Sequence, residues 1–249
     1  MEHGLEIIIK PEYLFNFLGL PITNTLLASF LTAIFLIVCE LLLGRKIYRK
    51  PKGVQNLLEM IIDSVLGLIE KVLEDKKLAL KVLPLVLTIF LFILTANWME
   101  FIPGVGSIKF FNGEHSVPLL RSVNTDLNVT IALAMVSVIV IEILGFVFLG
   151  IKNYGKKFIN FSGPVGFLVG LIEMLSESAR LISFSFRLFG NIFAGEVLIL
   201  VMTYFMPVFL PVPFMLFEIF VGILQAAIFA GLTLIFIKVA ITHHEEGAH

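Results

Sequence analysis

Apolar residues follow one another in five long runs along this chain, separated by shorter polar segments. A membrane-spanning helix needs about 20 mostly apolar residues, and residues 24–43, 78–98, 128–149 and 214–241 each meet this need as one span. The stretch over residues 164–206 is longer than one upright helix requires. At 1.5 Å per residue it would extend about 65 Å against a hydrocarbon core of about 30 Å. We therefore expect this fourth span to tilt, to break or to run partly along the interface.

Residues 54–77 show a different pattern. Apolar residues such as Leu58, Ile61 and Ile62 recur at three- and four-residue spacing, with charged residues between them. This spacing predicts an amphipathic helix that lies on the membrane rather than crossing it. The fold class predicted for residues 1–249, taken as a single membrane domain, is an all-α polytopic membrane protein. It has five transmembrane crossings plus one amphipathic interfacial helix.

Composition agrees with that prediction and excludes several functions. Hydrophobic residues make up 58% of the chain and charged residues only 15%, where a soluble domain has about a quarter charged residues. The net charge of -1 implies no nucleic-acid partner. The single cysteine, Cys39, has no neighbours at metal-ligand spacing, and no phosphate-binding glycine loop is present. We therefore expect no metal, no cofactor and no nucleotide site on this chain.

Basic residues predict the orientation. Lysine and arginine cluster at residues 45–52, after the first span, and at residues 152–157, after the third. Short loops rich in these residues face the cytoplasm. Five crossings with the N-terminus outside and the C-terminus inside satisfy this rule, and they place the chain in a bacterial inner membrane as a multi-pass protein.

One arginine lies deep inside an apolar run. Arg187 is in the long fourth span, where insertion of an arginine costs about 2.5–3.5 kcal/mol. Its neighbours one turn away are Ser183 and Asn191, and neither is a carboxylate. One interpretation is an ion pair with another helix of this chain. The alternative is a counter-ion on another protein.

The segment around Arg187 resembles a known family. Arg187-Leu188-Phe189-Gly190-Asn191, followed by Ala194-Gly195-Glu196, is similar to the signature of subunit a of F-type ATP synthases. Further similar segments occur in the same order along the chain: Phe101-Ile102-Pro103-Gly104, Thr125-Asp126-Leu127-Asn128 and Leu224-Gln225-Ala226. The resemblance implies a non-catalytic stator channel of the rotary enzyme. It also implies that the last two spans form a long tilted hairpin beside the ring of c subunits.

The resemblance also assigns roles to residues. Arg187 is implied to be the stator charge that faces the c-ring carboxylates, with peripheral-stalk b subunits, the rest of the complex and lipid as further partners. The other residues implied to act in ion translocation are Glu196, Glu218, Asn191 and Gln225. The residues implied to lie nearer the mouth of the outer half-channel are Asn97, Glu100 and Asp126. The candidates for the inner half-channel are Glu173, Ser176, Glu177 and Arg180.

Several alternatives remain open at this stage. The coupling ion is expected to be the proton. Sodium stays the alternative, because the rotor that binds the ion is another chain. Glu196 and Glu218 could instead form structural pairs within the bundle, Glu173 and Glu177 could be interfacial anchors, and Gln225 could serve as a hydrogen bond between helices.

A stand-alone transporter would favour inverted repeats and paired broken helices, and an intramembrane hydrolase would need a buried nucleophile and base. The sequence shows neither pattern. Glu40 and Glu142 also lie in spans, and we assign them no transport role.

Overall fold

A computed structural model gives the architecture of the chain. It describes residues 10–17, 19–45, 53–102, 108–112, 115–150, 154–155 and 164–242. Within these residues six helices of 20 residues or more dominate: α1 Asn24–Gly44, α2 Val54–Leu73, α3 Lys76–Met99, α4 Leu127–Leu149, α5 Pro164–Phe205 and α6 Pro211–Thr242. All but α2 are long and apolar enough to cross a membrane. The predicted class, an all-α polytopic membrane protein, is confirmed.

Two small antiparallel hairpins accompany the helices. Strands β1 (Tyr13–Phe17) and β2 (Leu20–Thr23) pair just before α1. Strands β3 (Lys109–Asn112) and β4 (His115–Pro118) pair in the connection between α3 and α4. The sequence pattern predicted only a polar loop in that connection. Hairpins this short are held by their surroundings, because two strands alone are marginal in water.

The surface helix ends earlier than its apolar pattern predicts. We expected it to extend to residue 77, but α2 ends at Leu73 and α3 already begins at Lys76. Glu74 adopts a left-handed conformation (φ 58°), and the Asp75 carboxylate accepts the backbone N–H groups of Lys77 and Leu78. A left-handed residue followed by an aspartate N-cap ends one helix and starts the next. The chain therefore turns from the surface into the bundle at this point.

Helix α5 is continuous over 42 residues. No proline interrupts it after Pro164, so its backbone hydrogen bonds continue through the stretch whose course the sequence left open. Its length is about 63 Å, twice the hydrocarbon thickness, and a helix of that length must lie strongly tilted. After residues 206–210 the chain reverses into α6, and the two helices pack together as a hairpin.

The core lies where α3, α4, α5 and α6 meet. Phe184, Leu188 and Ile192 follow one another at four-residue spacing and are buried against α6. Phe184 packs on Phe229 of α6, with ring centroids 4.9 Å apart. The opposite face of α5 stays apolar but exposed, as at Phe186. Such a face requires lipid or another protein against it.

Some residues used in the sequence predictions lie outside the part of the chain that the structure describes. They include Pro103 and Gly104 of the resemblance, most of the basic residues at 45–52, and Lys152, Lys156 and Lys157. The C-terminal His243 and His244 lie outside it as well.

Candidate functional site

Arg187 lies on the exposed face of α5. Because Leu188 points into the core, its neighbour Arg187 is turned about 100° away, toward the face that also exposes Phe186. Its guanidinium Nη2 donates a hydrogen bond to Ser183 Oγ at 3.1 Å, one turn away. Among the described residues no carboxylate forms an ion pair with it. The arginine is thus a cation presented to whatever covers this face.

Asn191 and Gln225 connect the two helices of the hairpin beside Arg187. Asn191, one turn beyond Arg187 on α5, donates its Nδ2 to Gln225 Oε1 of α6 at 2.8 Å. Gln225 is 2% exposed, and its Nε2 is a buried donor with no protein acceptor in the described part of the chain. From the sequence, it stayed open that Gln225 serves as a hydrogen bond between helices, which could position Arg187. The bond goes to Asn191 instead, so any influence of Gln225 on the arginine passes through the α5 backbone.

Glu196 forms an ion pair that sequence reasoning did not identify. Arg121 precedes α4, and its guanidinium contacts both carboxylate oxygens of Glu196, with Nε to Oε1 at 3.2 Å and Nη2 to Oε2 at 3.1 Å. The same arginine donates from Nη1 to the carbonyl of Lys10. Parallel bonds from one guanidinium fix a carboxylate more strictly than a lysine would. Arg121 and Glu196 are 75 positions apart, so no local spacing could reveal the pair.

Glu218 is buried at 6% exposure and lies against α5 where that helix has Gly195. A Cβ at Gly195 would collide with the Glu218 carboxyl, so the absence of a side chain there makes room for it. Glycine within a helix costs about 1 kcal/mol relative to alanine, and this close approach supplies a reason for it. Gly195 and Glu196 of the family segment therefore have different roles: Gly195 makes space for Glu218, and Glu196 pairs with Arg121.

Glu100 completes a group of charged residues at this end of the bundle. It follows α3 directly, and it interacts electrostatically with Glu196, Glu218 and Arg121. The pKa of Glu100 is raised to about 7, mainly by burial. The Glu196 and Glu218 carboxylates contribute to the rise, whereas a hydrogen bond with Ser122 and the Arg121 charge oppose it. We call Glu100, Arg121, Glu196 and Glu218 the outer cluster. It combines three carboxylates with one cation, and Glu100 titrates near neutral pH.

The other two residues expected at the outer mouth have structural contacts. Asn97 is 2% exposed; it donates to the Gly222 carbonyl at 3.2 Å and accepts from Asn124 Nδ2 at 2.7 Å. Asp126 caps α4 by accepting from Asn128 N at 2.9 Å, and its second oxygen accepts the Thr25 hydroxyl at 2.6 Å. These bonds fix both side chains within the bundle, and their place at the mouth of the outer half-channel stays a prediction.

The inner candidates lie on α5 before Arg187. Arg180 is two turns away, about 10 Å along the axis. It pairs with Glu177 at 2.8 Å and covers the Phe236 ring of α6 at 4.0 Å from the ring centroid. Both side chains of the pair are mostly buried. Ser176 is exposed, and Glu173 is half-buried one turn before Glu177. The structure thus holds Arg180 in the bundle, whereas Arg187 is presented outward.

A further carboxylate, to which the sequence analysis assigned no transport role, lies near these residues. Glu142 of α4 has a carboxylate oxygen shielded from solvent, and its neighbours include the buried Tyr154. Tyr154 in turn interacts electrostatically with Glu177 and Arg180. Glu142 and Tyr154 are 12 positions apart and lie on different elements, so the apolar pattern alone gave no sign that they meet.

A bundle of apolar helices with an outward arginine and buried carboxylates on either side of it defines a polytopic membrane protein of the ion-transporting class. The comparisons with known proteins identify the family. The family model described as ATP synthase A chain matches residues 25–238. The chain belongs to this family, subunit a of the F-type ATP synthase, and is therefore a membrane subunit of that complex.

Two relatives support the assignment. The ATP synthase subunit a of Moorella thermoacetica is 31% identical over 229 residues, which cover 92% of this chain and 95% of the relative. The ATP synthase subunit a of Gloeobacter violaceus is 30% identical over 228 residues, which cover 90% of this chain and 85% of the relative. The similarity thus extends over nearly the whole chain in both cases.

Proposed function

We propose that this chain is the non-catalytic stator channel of the synthase and couples proton flow to rotation of a c-ring through two half-channels divided by Arg187. The observation that carries the proposal is the outward, carboxylate-free position of Arg187 on an apolar face of α5. A cation on such a face is costly unless a counter-ion meets it. The membrane carboxylates of the c subunits would supply that counter-ion in turn.

The electrostatics of this arrangement favour release of the carried ion. At about 4 Å and an effective dielectric near 20, a guanidinium attracts a carboxylate by roughly 4 kcal/mol. An arriving rotor carboxylate therefore loses its proton beside Arg187. Because the arginine keeps its charge throughout, it also blocks protons from passing straight between the two routes. A rotor site that has regained a proton is neutral and can turn into lipid.

The outer cluster is suited to the outer half-channel. Glu196 lies nine residues beyond Arg187, or about 13 Å along α5. Glu218 lies against Gly195 beside it, and Glu100 stands at the end of α3. The pKa of Glu100 is raised to about 7, so this carboxyl could both accept and release protons near neutral pH, as a proton route requires. Sodium remains the alternative coupling ion.

The inner half-channel would run past the residues that precede Arg187 on α5. Glu173, Ser176 and Glu177 offer polar groups along that part of the helix. Arg180 is already neutralised by Glu177, so we assign it a role in holding α5 on α6 rather than a second stator charge. The membrane potential would supply about 2.3 kcal/mol per proton per 100 mV.

The remaining surfaces fit a subunit within a larger assembly. The apolar face of α1 and the amphipathic α2 are candidates for contact with peripheral-stalk b subunits and lipid, and the Arg187 face for contact with the c-ring. With its basic loops in the cytoplasm, the chain would have its N-terminus outside and its C-terminus inside a bacterial inner membrane. ATP chemistry would take place on other subunits.

Replacement of the stator charge tests the proposal. Arg187→Ala should abolish both ATP-driven proton pumping and proton-driven ATP synthesis in membrane vesicles, because rotor carboxylates would no longer be deprotonated and separated from the second route. Arg45→Ala, which removes a cation at the end of α1, is the matched control and should leave both activities near the wild-type rate. Coupled synthesis at the wild-type rate in Arg187→Ala vesicles would refute the role. Synthesis driven by a sodium gradient alone would refute proton coupling.

A further inference from the structure

A second group of titratable side chains lies on the Glu177 side of Arg187. Glu142 is on α4, eight residues before Gly150 and therefore about 12 Å inside the end of that helix. One of its carboxylate oxygens is buried in protein. A carboxylate inside a membrane span is costly, and such residues usually serve a function. The outer cluster, at the other end of the bundle, makes no use of it.

Tyr154 is folded back onto the helix that carries Glu142. The chain leaves α4 at Gly150, whose φ of 79° suits glycine, and the Tyr154 N–H donates to the Gly150 carbonyl at 3.0 Å. The Tyr154 ring then covers Gly145, where a Cβ would lie 2.5 Å from ring carbons, and meets the Phe146 ring at a centroid distance of 4.8 Å. The side chain is 2% exposed. The glycine and the turn together bring a tyrosine hydroxyl inside the bundle.

That hydroxyl lies beside the Glu142 carboxyl of α4 and within electrostatic range of Glu177 on α5. Burial raises the pKa of Tyr154 most, the neighbouring Glu142 carboxyl raises it next, and the Glu177 charge adds to the effect, while Arg180 lowers it. Tyr154 therefore stays protonated throughout the physiological range. A neutral hydroxyl can donate one hydrogen bond and accept another. It is thus suited to connect Glu142 on α4 with Glu177 on α5.

The other contacts of this group are settled by the structure. From α5 the charged groups that face Tyr154 are Glu177 and Arg180, which pair with each other at 2.8 Å. From α6 the neighbour is Phe236, an apolar ring beneath the Arg180 guanidinium. Arg180 is therefore held between the Glu177 carboxylate, which pairs with it, and the Phe236 ring.

We propose that Glu142 and Tyr154 form a proton-carrying pair of the inner half-channel. This inference rests on the proposed function and extends it to α4. Protonated Glu142 gives its proton to the Tyr154 hydroxyl as that hydroxyl gives its own proton to Glu177. Glu142 ends as a carboxylate, Tyr154 stays neutral and Glu177 ends protonated. Glu177 then returns to its ion pair with Arg180 by releasing the proton toward the inner surface.

Passive proton flow through the membrane sector tests the pair. Inverted vesicles stripped of the catalytic sector are driven by a potassium diffusion potential, and the buffer on each side is titrated separately. Glu142→Gln and Tyr154→Phe should each lower the flow about 5- to 10-fold, and Glu142→Asp should retain most of it. In both variants the proton flow should depend differently on the inner-side pH, whereas its dependence on the outer-side pH should match that of the wild type. Glu40→Gln and Tyr204→Phe, a span carboxylate and an exposed α5 tyrosine, are the matched controls.

Three results would overturn the inference. The first is wild-type flow in both Glu142→Gln and Tyr154→Phe. The second is a decrease in proton flow that is fully explained by a smaller amount of assembled complex in the membrane. The third is a loss with unchanged pH dependence on both sides, which would make the pair a packing feature only. ATP synthesis at the wild-type rate in Arg187→Ala vesicles that keep the catalytic sector would count against the proposed function itself, and so separates the two failures.

Discussion

Gly195 gives the sharpest structural prediction for the outer cluster. Gly195→Ala places a methyl group where the Glu218 carboxyl now lies, so either this buried side chain moves or the α5–α6 hairpin opens. Overpacking of a tight contact costs about 1–3 kcal/mol. If that cost falls on the conducting arrangement of Glu218, it corresponds to a loss of about 5- to 150-fold in rate. We therefore expect ATP-driven proton pumping to fall by at least 5-fold in a complex that still assembles.

The control and a rescue make this prediction specific. Gly231→Ala, on α6, meets no atom within 4 Å and should leave pumping near the wild-type rate. Adding Glu218→Asp to Gly195→Ala shortens the displaced side chain by one methylene, so the double variant should recover part of the rate lost by the single one. Pumping at the wild-type rate in Gly195→Ala would refute the reasoning. A double variant slower than the product of the two single effects would refute the steric explanation.

Two further predictions concern pH and folding. Because burial raises the pKa of Glu100 from 4.5 to about 7, the folded protein should lose roughly 2 kcal/mol of stability as the pH rises from 5 to 8. Glu100→Gln should flatten that dependence in thermal melts of the detergent-solubilised protein, and an unchanged slope would contradict the assignment. Asp126→Ala removes the N-cap of α4 and leaves the buried Thr25 hydroxyl without its acceptor, so it should lower the unfolding free energy by about 2–4 kcal/mol. Asp126→Asn, which keeps a capping oxygen, should lose less than half as much in the same melts.

The sequence predicts the helices well and their ends less well. Long apolar runs define the crossings because lipid accepts only helices whose backbone groups are satisfied within the segment. The end of α2 was missed because apolar residues continue at helical spacing through Leu73 and Leu78, and only the left-handed Glu74 interrupts them. The course of residues 164–206 stayed open because tilting and breaking both fit a run of that length. Packing of Phe184, Leu188 and Ile192 against α6 favours the continuous helix that the structure shows.

Some features of the candidate site could be predicted from the sequence, and others depend on the fold. The resemblance implied a role for Glu218 in ion translocation, and the structure adds the reason why its side chain fits in the bundle, which is the missing side chain of Gly195. The sequence pattern assigned no role to Arg121. Its role as the partner of Glu196 depends on the fold, because it joins residues 75 positions apart. Hydropathy patterns report which side chains are apolar, but not which polar side chains from different helices will meet.

Arg187 shows where local and tertiary arguments lead to the same conclusion. From the sequence, no carboxylate lay one turn away on its own helix, but a partner on another helix remained possible. In the described part of the chain the ion-paired carboxylates that share its helix, Glu196 and Glu177, are held by Arg121 and Arg180 instead. The bundle thus supplies each of those carboxylates with its own cation and leaves Arg187 only the Ser183 hydroxyl. A charge kept unneutralised on an apolar face is stable only if the assembly brings a carboxylate to it, which is the condition that a rotating ring of acidic subunits would meet.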